Sequence, residues 1–379
     1  MTPEEVLTTL EGGYAHEQYT PVAQRYQRRA DAQQKTIDAL QDELARKAVI
    51  VDAVVDGVLS HVGRYTPRPY SAPNHEGRGR PHYAILELSD WQMGSYWTAN
   101  DVAGLGEAST PILTERVRLL GRHVLRLTQK EQATGDVRHL VINWLGDFVE
   151  GEIIFRGQGV HIDTPTSEQM WACASAAREL LESLLPYYET ITCYCVRGNH
   201  GRMSAKKGEQ HPKNNWDQLL YQFLAGWFRD EDRLKWCISE GPWMAYTLPL
   251  APRFNHVILH GDDIPNNLGI PYYGINRESA KMATLANIPV HYIHMGHFHA
   301  ASTLDNMYGE KIINGCLTGP SPFSTGPLKT GSVPRQWFLG FHPEHGAVWH
   351  YPVYLAQMPE PSADEHGVYT PHETGIPTG

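Results

Sequence analysis

Between His82 and about Leu355 the chain alternates strand-like and helix-like stretches, and five of its polar clusters each follow a run of mostly apolar, β-branched residues. The clusters are Ser89-Asp90-Trp91-Gln92, Leu145-Gly146-Asp147, Gly198-Asn199-His200, His260-Gly261 and Met295-Gly296-His297-Phe298-His299. Alternation of this kind is the signature of a layered α/β domain. It places each polar cluster where a buried strand passes into a loop, which is where open α/β sheets build active sites.

The strands recognisable by content are Tyr83–Leu88, His139–Trp144, Thr192–Val196, His256–Leu259 and His291–His294, with helix-like stretches Ser167–Leu185, Asn215–Phe228 and Arg277–Ala286 among them. After Gly296 the pattern turns mainly β, with Lys311–Ile313, Trp337–Phe341 and Val348–Val353 as candidates. Four regions follow: a helical region 1–64, a linker or surface loop 65–81, a catalytic domain 82–356 and a flexible tail 357–379. The helical region starts at Thr20-Pro21 and carries Ile37, Leu40, Leu44, Val51, Val54 and Val58 at three- and four-residue spacing. Packing on the chain's own domain, a coiled-coil homodimer and partner binding all remain open for it. The loop's Arg64, Arg68, Arg78 and Arg80 are expected to be solvated charge.

A net charge of −10 argues against a protein that coats nucleic acid or an anionic membrane over a broad surface, but leaves room for a local basic site. The opening Met1-Thr2-Pro3-Glu4-Glu5 lacks a basic flank and an apolar run, and no segment is long enough to span a bilayer. Five cysteines, with Cys193 and Cys195 two apart in a strand-like run, are expected to be reduced thiols. A cytoplasmic protein is expected.

Asp90 and Asp147 are carboxylates at strand ends, Asn199 offers an amide oxygen, and His260, His297 and His299 offer imidazoles. Together they are the donors a two-metal hydrolytic centre needs, with ions roughly 3.5–4 Å apart. Gly146, Gly198, Gly261 and Gly296 permit tight turns beside them. His297 and His299, two apart in extended backbone, are expected to point to the same side and serve neighbouring ions.

In their order and spacing these motifs resemble those of the calcineurin-like metallophosphoesterases: Asp-x-His, Gly-Asp, Gly-Asn-His-Asp/Glu, His, and Gly-His-x-His. The resemblance covers about His82 to Phe323. It implies a layered β-sandwich flanked by helices, with Mn foremost among the ions and Mg, Fe or Zn as alternatives. Asp90, Gln92, Asp147 and His299 would then hold the first ion, and Asp147, Asn199, His260 and His297 the second. His200 would assist the leaving group as a general acid. Two departures stand out. Gln92 occupies a histidine position and offers only an amide oxygen, which weakens the first site and tilts it toward harder ions. Gly201 occupies the place of the acid that orients His200, for which Glu209 and Asp217 are the nearby replacements.

Gly146-Asp147-Phe148-Val149-Glu150-Gly151-Glu152, followed by Gly157-Gln158-Gly159, is similar to the small subunit of archaeal family-D DNA polymerases, placing the chain beside the superfamily's nuclease branch with the SbcD-type exonucleases. Arg202, Lys206 and Lys207 would grip phosphates flanking the scissile one. Trp91 and Phe298, each between two proposed ligands, would stack bases. The expected function is a metal-dependent phosphodiesterase, a DNA or RNA nuclease. The alternatives are a phosphatase or nucleotidase for small esters and a catalytically silent scaffold.

Overall fold

The computed structural model describes residues 24–38, 65–71, 79–208, 210–211, 213–267, 269 and 271–356. The chain divides into two compact units, Met1–Val62 and Gly63–Gly379. In the first, residues 24–38 form helix α1, exposed along its length. The Thr20-Pro21 start, the stripe beyond Ile37 and the end near Val62 lie outside the described residues, as does the tail.

The second unit opens with residues 65–71, anticipated as linker or surface loop, bound along the domain. Tyr65 is buried with its ring tilted against that of Phe228 at 4.9 Å, Ser71 N–H donates to the Pro186 carbonyl at 2.9 Å, and Arg233 donates to the Arg68 carbonyl at 2.7 Å. Arg80 pairs with Glu344. Arg64 and Arg78 lie outside the described residues.

The strands are β1 (His82–Leu88), β2 (Val137–Trp144), β3 (Thr190–Cys195), β4 (Leu234–Ile238), β5 (Trp243–Leu248), β6 (Ala251–Leu259), β7 (Tyr292–Met295), β8 (Ser302–Asn306), β9 (Gly309–Ile313), β10 (Arg335–His342) and β11 (Gly346–Tyr354). They form two sheets, ordered β11-β10-β1-β2-β3-β4 and β5-β6-β7-β9-β8. Strands β1 to β4 are parallel, as are β6, β7 and β9, while β10, β11, β5 and β8 join antiparallel. The fold is therefore mixed α/β, two multi-strand sheets flanked by helices.

Alternation along the strands explains the layers. Tyr83 and Ile85 of β1, Val141 of β2, Phe254 and Ile258 of β6, Tyr292 of β7 and Leu339 and Phe341 of β10 share one core cluster, so they are the faces the two sheets turn toward each other. The intervening Ala84, Leu86, Leu140, Ile142 and Trp144 are buried as well. They meet the helices, as Trp144 does against Tyr221 at 5.9 Å. Both faces of the first sheet are thus covered, which is why its parallel strands read as near-continuous apolar runs.

Helices α2 (Thr110–Thr134), α3 (Thr166–Leu184) and α4 (Trp216–Trp227) accompany the first sheet. In α2, Leu113, Val117, Leu120 and Val124 are buried at three- and four-residue spacing, and Ser109 with a proline in the first turn marks the start. Helix α5 (Tyr272–Ala286) covers the outer face of the second sheet through Ile275 and Met282, against Val257, Leu259, Ile293 and Ile313. Among the described residues no helix is long and apolar enough to cross a membrane. All five cysteines are free thiols.

Candidate metal centre

Every motif identified from the sequence leaves the C-terminal end of a strand: Asp90 after β1, Asp147 after β2, Asn199 and His200 after β3, His260 after β6, and His297 and His299 after β7. Backbone hydrogen bonds interlock these loops. Asp90 N–H donates to the Gly146 carbonyl and Gln92 N–H to the Asp147 carbonyl, both at 3.0 Å, and Gly296 N–H to the His260 carbonyl at 2.9 Å. Across the sandwich, His297 N–H donates to the Asp90 carboxylate at 3.0 Å. His200 N–H donates to Asp147 Oδ1 at 2.7 Å. Loops from both sheets therefore meet along one edge.

Donor atoms converge there. Asp147 Oδ2 lies 2.9 Å from His260 Nε2, which lies 3.3 Å from His297 Nδ1. All three residues offer a ligand atom within 4.8 Å of the others. His260 Nδ1–H donates to the Leu145 carbonyl at 2.7 Å, which fixes the ring so that Nε2 faces Asp147, as in bound metal-ligating histidines. Asn199 Oδ1 is buried without a hydrogen-bond partner, the state of an acceptor built to meet something other than protein. On the other side His299 Nε2 stands 3.4 Å from Asp90 Oδ1. Gln92 is buried in the same loop. Carboxylate, amide and imidazole donors in this arrangement fit divalent cations.

The backbone carries the same message. Among the described residues eight non-glycines have positive φ, and five of them are Asp90 (52°), Gln92 (44°), Asp147 (59°), His297 (69°) and His299 (59°). Left-handed backbone at non-glycine positions is costly and gathers at functional sites. It also corrects the expectation of extended backbone at His297 and His299. The two rings are aimed by separate turns, His297 toward His260 and His299 toward Asp90. Gly198 and Gly296 serve close approach here, since a Cβ on the first would collide with the Asp147 carboxylate and on the second with Asp90 and Ser89.

Electrostatics follow from that crowding. Burial opposes charge on His260, but the adjoining Asp147 carboxylate outweighs it and lifts His260 to about 10. His297, buried beside the charged His260, is pushed down to about 4. Against burial, the neighbouring histidines hold Asp147 well below the carboxylate range. Positive charge on the imidazoles thus offsets the carboxylates, and a cation bound there would compete with those protons.

His200 has its Nδ1–H directed at the Glu150 carbonyl at 2.8 Å, with the Glu150 carboxylate at 3.5 Å. Burial would lower the ring's pKa, yet Glu150 and Asp147 together raise it. Glu150 is itself held by Gln158 at 2.9 Å and Ser95 at 3.0 Å. The acid facing His200 is therefore Glu150, from the loop after β2, and not Asp217; Glu209 lies outside the described residues. Asp217, at the start of α4, accepts from the N–H groups of Asp147, Phe148 and Gly198 at 3.0, 3.0 and 2.8 Å, and so ties together two of the ligand loops. Burial, with Asp147 nearby, pushes its carboxyl up to about 6.

The nominated substrate contacts fare unevenly. Trp91 is wholly buried, at 5.0 Å from Phe148 and 6.2 Å from Trp144, so it belongs to the core and is unavailable for stacking. Phe298 is half-buried, packed against the cluster under α5 with its ring 5.1 Å from His297. Lys207 pairs with Asp262 at 2.7 Å, Lys206 is exposed, and Arg202 is half-buried with its Nε lacking a partner. An aromatic the motifs did not flag, Phe155, is 49% exposed with its ring 6.3 Å from that of His200.

No protein-family model and no curated protein matches the sequence. Solved structures resemble the fold. An archaeal phosphodiesterase is 10% identical, covering 71% of this chain and 99% of its own, with a TM-score of 0.31. The hypothetical protein PH1004 from Pyrococcus horikoshii is 11% identical over 72% and 88%, with a TM-score of 0.34. Vps29 complexed with zinc from Entamoeba histolytica is 11% identical over 72% and 99%, with a TM-score of 0.31. At such identities and scores the chemistry must be read from the residues themselves.

Proposed function

We propose that this protein is a metal-dependent phosphodiesterase of the calcineurin-like type, acting on DNA or RNA. The observation that carries the reading is the convergence of Asp147, His260 and His297, whose ligand atoms lie within 4.8 Å of one another. Asn199 Oδ1, in the loop whose His200 N–H donates to Asp147, is buried without a partner, and His299 stands beside Asp90. Two divalent cations, Mn foremost, would neutralise the phosphoryl oxygens and lower the pKa of water there.

The chain's own groups supply the rest. Asp147, which meets His260, would be the carboxylate shared by the two ions. His200 carries a proton, which Glu150 and Asp147 help it hold, and gives it to the departing alcohol oxygen. The backbone carbonyl of Glu150 takes Nδ1–H, leaving Nε2 as the nitrogen that donates. Arg202 and Lys206 follow His200 in the chain and favour a substrate with more than one phosphate. Phe155 offers an exposed ring beside the departing group, which favours a leaving alcohol that bears an aromatic base.

The test is hydrolysis of labelled single- and double-stranded oligonucleotides, bis-p-nitrophenyl phosphate and p-nitrophenyl phosphate with Mn, with Mg and without metal. Metal-dependent cleavage of the oligonucleotides and the diester is expected. Cleavage confined to the monoester would replace the reading with a phosphatase, and no cleavage of any substrate would leave a scaffold.

A further inference from the structure

Beneath the donor set runs a chain of buried polar side chains that the chemistry above does not use. Glu87 Oε1 accepts from His294 Nδ1–H at 2.7 Å and from Asn143 Nδ2–H at 3.2 Å. His294 Nε2 shares a hydrogen bond with His256 Nδ1 at 3.0 Å, and Asn143 Oδ1 accepts from the Tyr246 hydroxyl at 3.0 Å. Glu87, Asn143, His256 and His294 all have 0% exposure. The His256 ring is stacked between Tyr246 at 4.9 Å and Tyr292 at 5.1 Å.

The placement of these four is regular. Glu87 is three residues before Asp90 on β1, Asn143 four before Asp147 on β2, His256 four before His260 on β6, and His294 three before His297 on β7. Each occupies a position facing the other sheet, below a candidate ligand on the same strand. Two links, Glu87 to His294 and Asn143 to Tyr246, cross from one sheet to the other. The four do not themselves form a metal site: Glu87 Oε2 and His256 Nε2 are buried without partners, but among the described residues the ligand atoms that converge within 4.8 Å are those of Asp147, His260 and His297.

Apolar packing between sheets is non-directional and tolerates lateral sliding, whereas a hydrogen-bond chain fixes both distance and offset. Burying a carboxylate and two imidazoles is no route to stability, since well-packed apolar side chains of similar volume are often as good or better. The ligands come from both sheets: Asp90 and Asp147 from the first, His260 and His297 from the second. We infer that Glu87, Asn143, His256 and His294 are positioning residues, which set the sheet-to-sheet offset at the ligand-bearing ends and so hold the two halves of the metal centre in register. The inference rests on the metal-centre reading above.

Calorimetric Mn titration of the full chain, with a thermal melt of each variant, separates the possibilities. Glu87→Gln keeps an acceptor oxygen for His294 and should bind Mn nearly as the wild type does. The double variant Glu87→Leu with His294→Leu should fold with an undiminished melting temperature yet bind Mn about tenfold more weakly or worse. If it does not fold, His256→Phe keeps a flat ring between the tyrosines while deleting the link to His294, and a weakened Mn affinity in that folded variant carries the same weight. Folded apolar variants that bind as tightly as wild type overturn the positioning role, as would equal weakening in Glu87→Gln and the leucine pair. A wild-type chain that binds no Mn overturns the metal-centre reading and this inference together.

Discussion

Replacing Glu150 with glutamine isolates the proton held by His200. The substitution leaves the ring's anchor intact, because Nδ1–H donates at 2.8 Å to the backbone carbonyl of residue 150, which any side chain retains. What it removes is a negative charge 3.5 Å from Nδ1. At an effective dielectric near 20 a full charge at that distance is worth about 5 kcal/mol to an imidazolium, an upper figure. Burial of the ring acts in the opposite direction, and Gln158 and Ser95 share the carboxylate's charge. The sign is fixed: His200 has a raised pKa, so its acid form is present below that pKa and is lost as pH rises through it. In Glu150→Gln the loss moves to lower pH. A positioned general acid contributes roughly 10²–10⁴-fold, and it does so where the leaving group is a poor one. With an oligonucleotide, whose alkoxide needs the proton, kcat at mildly alkaline pH should fall by at least about tenfold while KM holds. With bis-p-nitrophenyl phosphate, whose phenolate departs unaided, kcat should scarcely change. Equal losses on both substrates, or an alkaline limb that stays in place, would refute the assignment of His200 as acid and Glu150 as its partner.

Other outcomes follow from the same geometry. Asp147→Asn should abolish metal-dependent hydrolysis in a folded protein, and most activity surviving would sink the bridging role. Phe155→Ala should raise KM for nucleotide-bearing diesters by about five- to 150-fold, the equivalent of one stacked base at 1–3 kcal/mol, and leave KM for a methyl ester of the same phosphate unchanged; a matched change in both would remove the ring from substrate recognition. Deleting the residues before Arg64 should turn a dimer into a monomer by light scattering if the N-terminal helix is a coiled coil, and an unchanged mass rejects that arrangement.

Much of the layered architecture is legible in the sequence, as are the loops that bring Asp147, His260 and His297 together, because both depend on local pattern. Apolar β-runs mark the strands, and the polar letters after them mark the loops. Long-range partners were not legible. Glu150 reaches His200 across fifty residues, and Asp217 reaches Asp147 across seventy, so neither contact leaves a spacing signal. A loop position between two donors says nothing about rotamer, and the Trp91 ring turns back into the core. Strand geometry does not extend to His297 and His299, where left-handed backbone breaks the period of two. The polar chain beneath the site had a visible trace: Glu87, Asn143, His256 and His294 interrupt otherwise apolar strands, and only the stacked sheets show that they meet.

The central claim is that two cations are held unequally, tightly by Asp147, Asn199, His260 and His297 and weakly where Gln92 stands in place of an imidazole. Equilibrium dialysis against graded Mn tests it most directly. Two ions per chain are expected, the weaker one lost in Asp90→Ala while the tighter remains, and both weakened in Asp147→Ala. A folded wild-type chain that retains no Mn, or one whose Mn binding is indifferent to Asp147, would contradict the account.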